Sequence, residues 1–117
     1  MLTLAAFLFA LAALGGATLA YLHMSGKHVP VVLALGHGVV AASGLVLFIV
    51  GLAQVQAGGL AIFSLILFVL AAFGGLTLFS AHLKKRKLPV RLIFLHAGAA
   101  LTAFVLLLIS LALGSTP

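Results

Sequence analysis

LFALAALGGATLAYLH, residues 8–23, and LFVLAAFGGLTLFSAH, residues 67–82, are one segment written twice. Leu8, Phe9, Leu11, Ala12, Ala13, Gly15, Gly16, Thr18 and Leu19 recur as Leu67, Phe68, Leu70, Ala71, Ala72, Gly74, Gly75, Thr77 and Leu78, at a constant offset of 59. Beyond this stretch His23 recurs as His82, Pro30 as Pro89, Val31 as Val90, Leu33 as Leu92 and His37 as His96. No gap is needed, and about a third of positions are identical. Matches of Leu and Ala cost little in so apolar a chain, whereas paired glycines, histidines and prolines do not match by composition. The repeat predicts a single domain over residues 1–117, built from similar units at about 1–58 and about 60–117.

Neither segment carries a charged residue, and the rest of the chain is much the same. Apolar residues make up 66% of it and charged ones 5%, against about 25% charged in a soluble domain. Such a chain has no polar coat for water, so its solvent is lipid. Four apolar runs stand out, at about Leu2–Met24, Val29–Ala53, Leu60–Leu83 and Leu88–Leu113. Each is long enough to cross a hydrocarbon core of about 30 Å as a helix. Lipid offers no hydrogen-bond partner, so a lone span has to satisfy its backbone internally. Each repeat crosses twice, which makes the repeats parallel and relates them by a pseudo-two-fold axis along the membrane normal. The predicted fold is an all-α integral membrane protein, a four-helix transmembrane bundle of two parallel helical-hairpin repeats. Helix one then lies diagonal to helix three, and helix two to helix four.

The breaks between runs explain themselves. Ser25-Gly26-Lys27-His28 is a polar turn, and Pro30 is expected in the first turn of helix two, where a missing N–H costs nothing. Lys84-Lys85-Arg86-Lys87 and Pro89 repeat the arrangement before helix four. Gln54 to Gly59 forms an uncharged middle turn, and Gly114-Ser115-Thr116-Pro117 a polar end. Thr18-Leu19-Ala20 resembles a signal-peptide cleavage site, but there is no basic n-region and the apolar run is long, so the first span is expected to be retained. All six Lys and Arg residues (Lys27, Lys84, Lys85, Arg86, Lys87 and Arg91) fall at or beside the first and third turns. The positive-inside rule places those turns in the cytoplasm, with both termini and the glutamine turn outward, in what is expected to be a bacterial inner membrane. The charge of +6 is therefore read as topology, with anionic lipids as partners of the basic turn, and nucleic acid is not an expected partner.

The chain has no Asp, Glu or Cys. Carboxylate acid–base pairs, carboxylate metal sites, disulfides and thiolate ligands are therefore excluded, as is haem attachment through cysteines. Chemistry then falls to histidine. His37 and His96 each stand seven residues past their proline, about 10 Å inside the basic interface. His23 and His82 stand near that interface, and unpaired His28 lies in a turn. An ionisable residue in the membrane marks a functional site or an interhelical hydrogen bond. Gly15-Gly16 and Gly74-Gly75 are predicted at the level of His37 and His96, and Gly36, Gly38, Ala97 and Gly98 flank them. Small residues there mean close helix packing or a flat slot. Opposed imidazoles with a flat slot are what bis-histidine haem b requires.

This layout resembles the membrane-embedded b-type cytochromes, both the four-helix cytochrome b561 type and the haem-bearing anchors of succinate dehydrogenase. The likeness is architectural and covers the histidine-bearing halves of the helices. It implies His37 and His96 as axial ligands of the haem iron, with His23 and His82 as a further pair. Arg91, in the first turn of helix four, has two readings: a snorkelling arginine, which is the more frequent reason for such a residue, or a contact to a haem propionate at the cytoplasmic surface. Two-haem members place their haems toward opposite faces; here the histidines cluster on one side, which suits one haem. Three functional readings follow. The first is a small electron carrier that holds one haem b and exchanges electrons with quinol or a respiratory partner, with quinone as a further ligand. The second is an accessory subunit of a larger membrane complex or homo-oligomer. The third is a small transporter built from parallel repeats. A carrier or subunit is favoured over a stand-alone enzyme, since no nucleophile–base pair is visible.

Overall fold

The computed structural model describes residues 1–114; the Ser115-Thr116-Pro117 end lies outside the described residues. The helices are α1 (Leu2–Met24), α2 (Val31–Ala53), α3 (Gly59–Leu83) and α4 (Val90–Gly114). At 23 to 25 residues each, they run about 35 Å, enough to cross a bilayer.

Their ends have local causes. α1 closes in a Schellman motif: Lys27 N–H donates to Leu22 O at 2.9 Å and Gly26 N–H to His23 O at 3.2 Å. Gly26 takes the left-handed conformation this requires, at φ 69°. α3 closes identically, through Arg86 N–H to Ala81 O at 2.9 Å and Lys85 N–H to His82 O at 3.1 Å. Here the left-handed position is filled by Lys85, at φ 54°. The prolines stand one step earlier than the sequence suggested. Pro30 is extended, at φ −66° and ψ 134°, and caps α2 from outside. Its carbonyl accepts from Ala34 N–H, as that of Pro89 does from Ile93 N–H. A proline holds the residue before it extended, so Val29 and Leu88 belong to the turns, not the helices.

Each helix packs most extensively on its hairpin mate, α1 on α2 and α3 on α4. The hairpins meet more sparingly, through α2 with α3 and α1 with α4, and diagonal helices reach each other only through side chains across the axis. The result is a ring of helices in chain order within a body of 49 × 23 × 20 Å.

The buried positions follow the repeat. Ala5, Phe9 and Ala12 of α1 match Ser64, Phe68 and Ala71 of α3, and Gly44 and Phe48 of α2 match Ala103 and Leu107 of α4. Across the axis the rings of Phe9 and Phe68 stack with centroids 3.9 Å apart and planes 9° from parallel. Phe48 meets both edge-on, at 6.3 and 5.8 Å. The one buried hydroxyl among the described residues, Ser64, donates to Ala103 O at 2.6 Å.

The exterior is the reverse of a soluble protein's. Leu14, Val32, Phe73, Leu76 and Leu95 are each at least 65% exposed, in a belt of apolar side chains around the bundle. A surface of that kind is stable only against lipid. The chain is an integral membrane protein, and the bilayer is its environment.

Candidate functional site

The site is made by an unusual reach from helix to helix. Deep in the first hairpin, His37 of α2 turns onto α1, its Nδ1 2.7 Å from Ala12 O. In the second, His96 of α4 places its Nδ1 2.7 Å from Ala71 O. A carbonyl can only accept, so Nδ1 carries the hydrogen in both rings. In a neutral imidazole this leaves the lone pair on Nε2.

The glycines make these bonds possible. A helical carbonyl at position i points toward residue i+4, whose side chain ordinarily screens it. Gly16 is that residue for Ala12, and Gly75 for Ala71. A methyl group added at Gly16 would stand 3.0 Å from His37 Cε1, and one at Gly75 2.9 Å from His96 Cε1. At Gly15 and Gly74 the nearest imidazole atom, Nδ1 of His37 or His96, would be 3.7 Å away. The space left by the missing side chains is thus filled by the histidines themselves. This corrects the expectation of an open slot: the paired glycines are seats for imidazoles. Gly36, Gly38 and Gly98 face open space and take no part.

The two seated rings meet across the bundle axis, with centroids 6.3 Å apart and planes crossed at 88°. Both are half-buried. A metal ion held between two opposed imidazole nitrogens, about 2 Å from each, sets the ring centres about 6 Å apart. A ligating histidine almost always donates its other N–H to a carbonyl, carboxylate or water, which fixes ring orientation and tautomer. The ring separation and the Nδ1 bonds are compatible with an axial ligand pair, and His37 and His96 are the residues that would hold haem iron.

His23 and His82 do not join this pair. They line a cleft of about 520 Å³ at the basic end, with Lys27, His28, Lys85, Arg86 and Lys87. His82 Nε2 is buried without a hydrogen-bond partner. Arg91, the sequence candidate for a propionate, is exposed and lines neither this cleft nor the shallower one beside Lys84. Arg86 and Lys27 hold the cleft instead. Sequence reasoning passed over them as topology signals, although the offset of 59 pairs them with each other. Ala12 and Ala71 were also unremarked as the carbonyl acceptors of the site, since alanine carries no chemical signal in its side chain. No protein-family model, curated protein or solved structure matches this chain.

Proposed function

We propose that this chain is a small membrane electron carrier in which His37 and His96 are the axial ligands of one haem b. The observation that carries the reading is the pair of Nδ1 bonds to Ala12 and Ala71, which leaves two Nε2 lone pairs on rings 6.3 Å apart. Bound haem supplies one-electron chemistry at a potential tuned by ligands and burial. The chain's own share is orientation and dryness. The carbonyls aim the imidazoles, the glycines seat them, and the cluster of Phe9, Phe48 and Phe68 closes the core. With the basic turns in the cytoplasm of a bacterial inner membrane, the histidines lie nearer that face, where quinol or a respiratory partner would exchange electrons. Anionic lipids are the expected neighbours of the basic turns. The same Nδ1 bonds also fasten each hairpin, which favours a second reading: a haem-free accessory subunit of a larger complex, with the histidines as interhelical ties.

Absorption spectra separate the two. The protein, expressed with added haem and purified in detergent, is expected to show a Soret band and sharp reduced bands. His37→Ala and His96→Ala should each abolish the low-spin spectrum, whereas His23→Ala and His82→Ala should leave it in place or shift it. Crossed imidazole planes leave two iron π orbitals nearly degenerate, so the ferric protein should give a strongly anisotropic low-spin EPR signal. A colourless wild-type protein would remove the haem reading and leave the accessory subunit.

A further inference from the structure

The basic end of the bundle holds a second site whose construction the haem reading does not require. The cleft of about 520 Å³ lies between the first and third turns and draws on both hairpins. Its lining obeys the repeat. His23 faces the cleft with its counterpart His82, Lys27 with Arg86, and His28 with Lys87. Lys27 and Arg86 are not placed at random, since each follows the left-handed residue of a Schellman motif and donates its backbone N–H back to its helix. Two identical helix ends thus present two equivalent cations on either side of the pseudo-two-fold axis.

Among the described residues nothing neutralises them. There is no Asp or Glu anywhere in the sequence, and the contact that Lys27 makes is a cation–π approach to Tyr21, 5.2 Å from the ring centroid. Four Lys and Arg side chains and three imidazoles sharing one cleft call for anionic oxygen from outside. The unpartnered Nε2 of His82 beside them is a polar atom still owed a hydrogen bond. The cleft opens at the end of the membrane spans, at head-group level, where basic pockets between helices bind phosphate-bearing lipids.

We propose that this cleft binds a phospholipid with two phosphates on one bridge, of the cardiolipin kind, with one phosphate against Lys27 and His23 and the other against Arg86 and His82. The symmetry of the lining selects the ligand. A single phosphate satisfies one half of the cleft, whereas a bis-phosphate with its own near two-fold symmetry satisfies both. The site stands whether or not haem is bound.

The test is native mass spectrometry of the full chain, delipidated and titrated with cardiolipin, phosphatidylglycerol or phosphatidylcholine. One cardiolipin should be retained per chain and phosphatidylcholine none. Lys27→Ala and Arg86→Ala should each weaken retention by about fivefold, as expected for one interfacial cation. Lys84→Ala removes the same charge from outside the cleft and should leave retention intact. Equal losses from Lys84→Ala and Arg86→Ala would overturn the site in favour of diffuse charge. A loss from only one of Lys27→Ala and Arg86→Ala, or equal competition by phosphatidylglycerol at matched phosphate, would overturn the bis-phosphate ligand in favour of a single lipid phosphate. Displacement by inorganic phosphate at matched concentration would overturn the lipid and assign a free anion. Where a variant fails to fold, displacement of a fluorescent cardiolipin from the wild-type protein by these competitors separates the same ligands. Loss of haem from Arg86→Ala with lipid retention unchanged would assign the cleft to propionates instead.

Discussion

At the scale of single residues, the glycines divide by what lies over them. Replacing a glycine by alanine within a helix ordinarily stabilises it by about 0.5–1 kcal/mol. Gly38 and Gly98 have open space around them, and alanine there should show that ordinary gain. Gly75 is different, because a methyl would stand 2.9 Å from His96 Cε1, closer than real contacts allow. Gly75→Ala should push the imidazole off the Ala71 carbonyl and reverse the sign, destabilising the bundle. Gly16→Ala should do the same to His37 at 3.0 Å. Unfolding by SDS titration in mixed micelles measures both sets, and a haem-loaded protein should also show a shifted or lost Soret band for Gly16→Ala and Gly75→Ala alone. Equal stabilities across the two sets would mean that the imidazoles are not seated as described.

At the scale of elements, the two repeats differ where stability can be measured. The Ser64 hydroxyl donates to Ala103 O, whereas the first repeat has Ala5 and Gly44 at these positions. Hydrogen bonds between membrane helices contribute about 0.6 kcal/mol on average. Ser64→Ala should therefore cost a fraction of a kcal/mol by the same SDS titration, and a loss of several kcal/mol would show the bond to be a keystone. The turns differ in the opposite sense. Gly26 takes φ 69° freely, while Lys85 holds φ 54° with a side chain, at a cost of about 1 kcal/mol for a left-handed residue. Lys85→Gly should recover part of that and raise the thermal midpoint, and Gly26→Ala should lower it.

At the scale of the whole molecule, the question is which end faces which compartment. The chain has no cysteine, so single cysteines report accessibility without background. Gln56→Cys, in the uncharged turn, should be labelled by a membrane-impermeant maleimide added to intact cells. Lys85→Cys, in the basic turn, should be labelled only after the membrane is opened. The warrant is that every Lys and Arg lies at one end of the bundle. The reverse pattern would turn the molecule over and place the histidine pair nearer the outer face.

How much of this is legible in the sequence depends on the range of the interaction. The four spans follow from length and hydropathy alone, because lipid leaves an apolar segment no alternative to a helix. The helix ends are nearly legible too, set by glycine, proline and polar residues within a few positions of one another. Proline's exact step relative to α2 and α4 is not, since capping from outside and entry at the first turn share one sequence pattern. The repeat of His37 as His96 places two imidazoles at one depth. Which way they turn cannot be read from it: a histidine on a lipid-embedded helix reaches a partner set by the rotation of its neighbour. Only packing α2 on α1 and α4 on α3 brings the rings over Gly16 and Gly75 and onto the carbonyls of Ala12 and Ala71. Those carbonyls leave no trace in residue type, because every residue has one. The sequence by itself determined a lipid-embedded duplicate of two helices, by local chemistry and periodicity; the tertiary structure alone decided which nitrogen of each histidine is free, because that depends on a bond made 25 residues away.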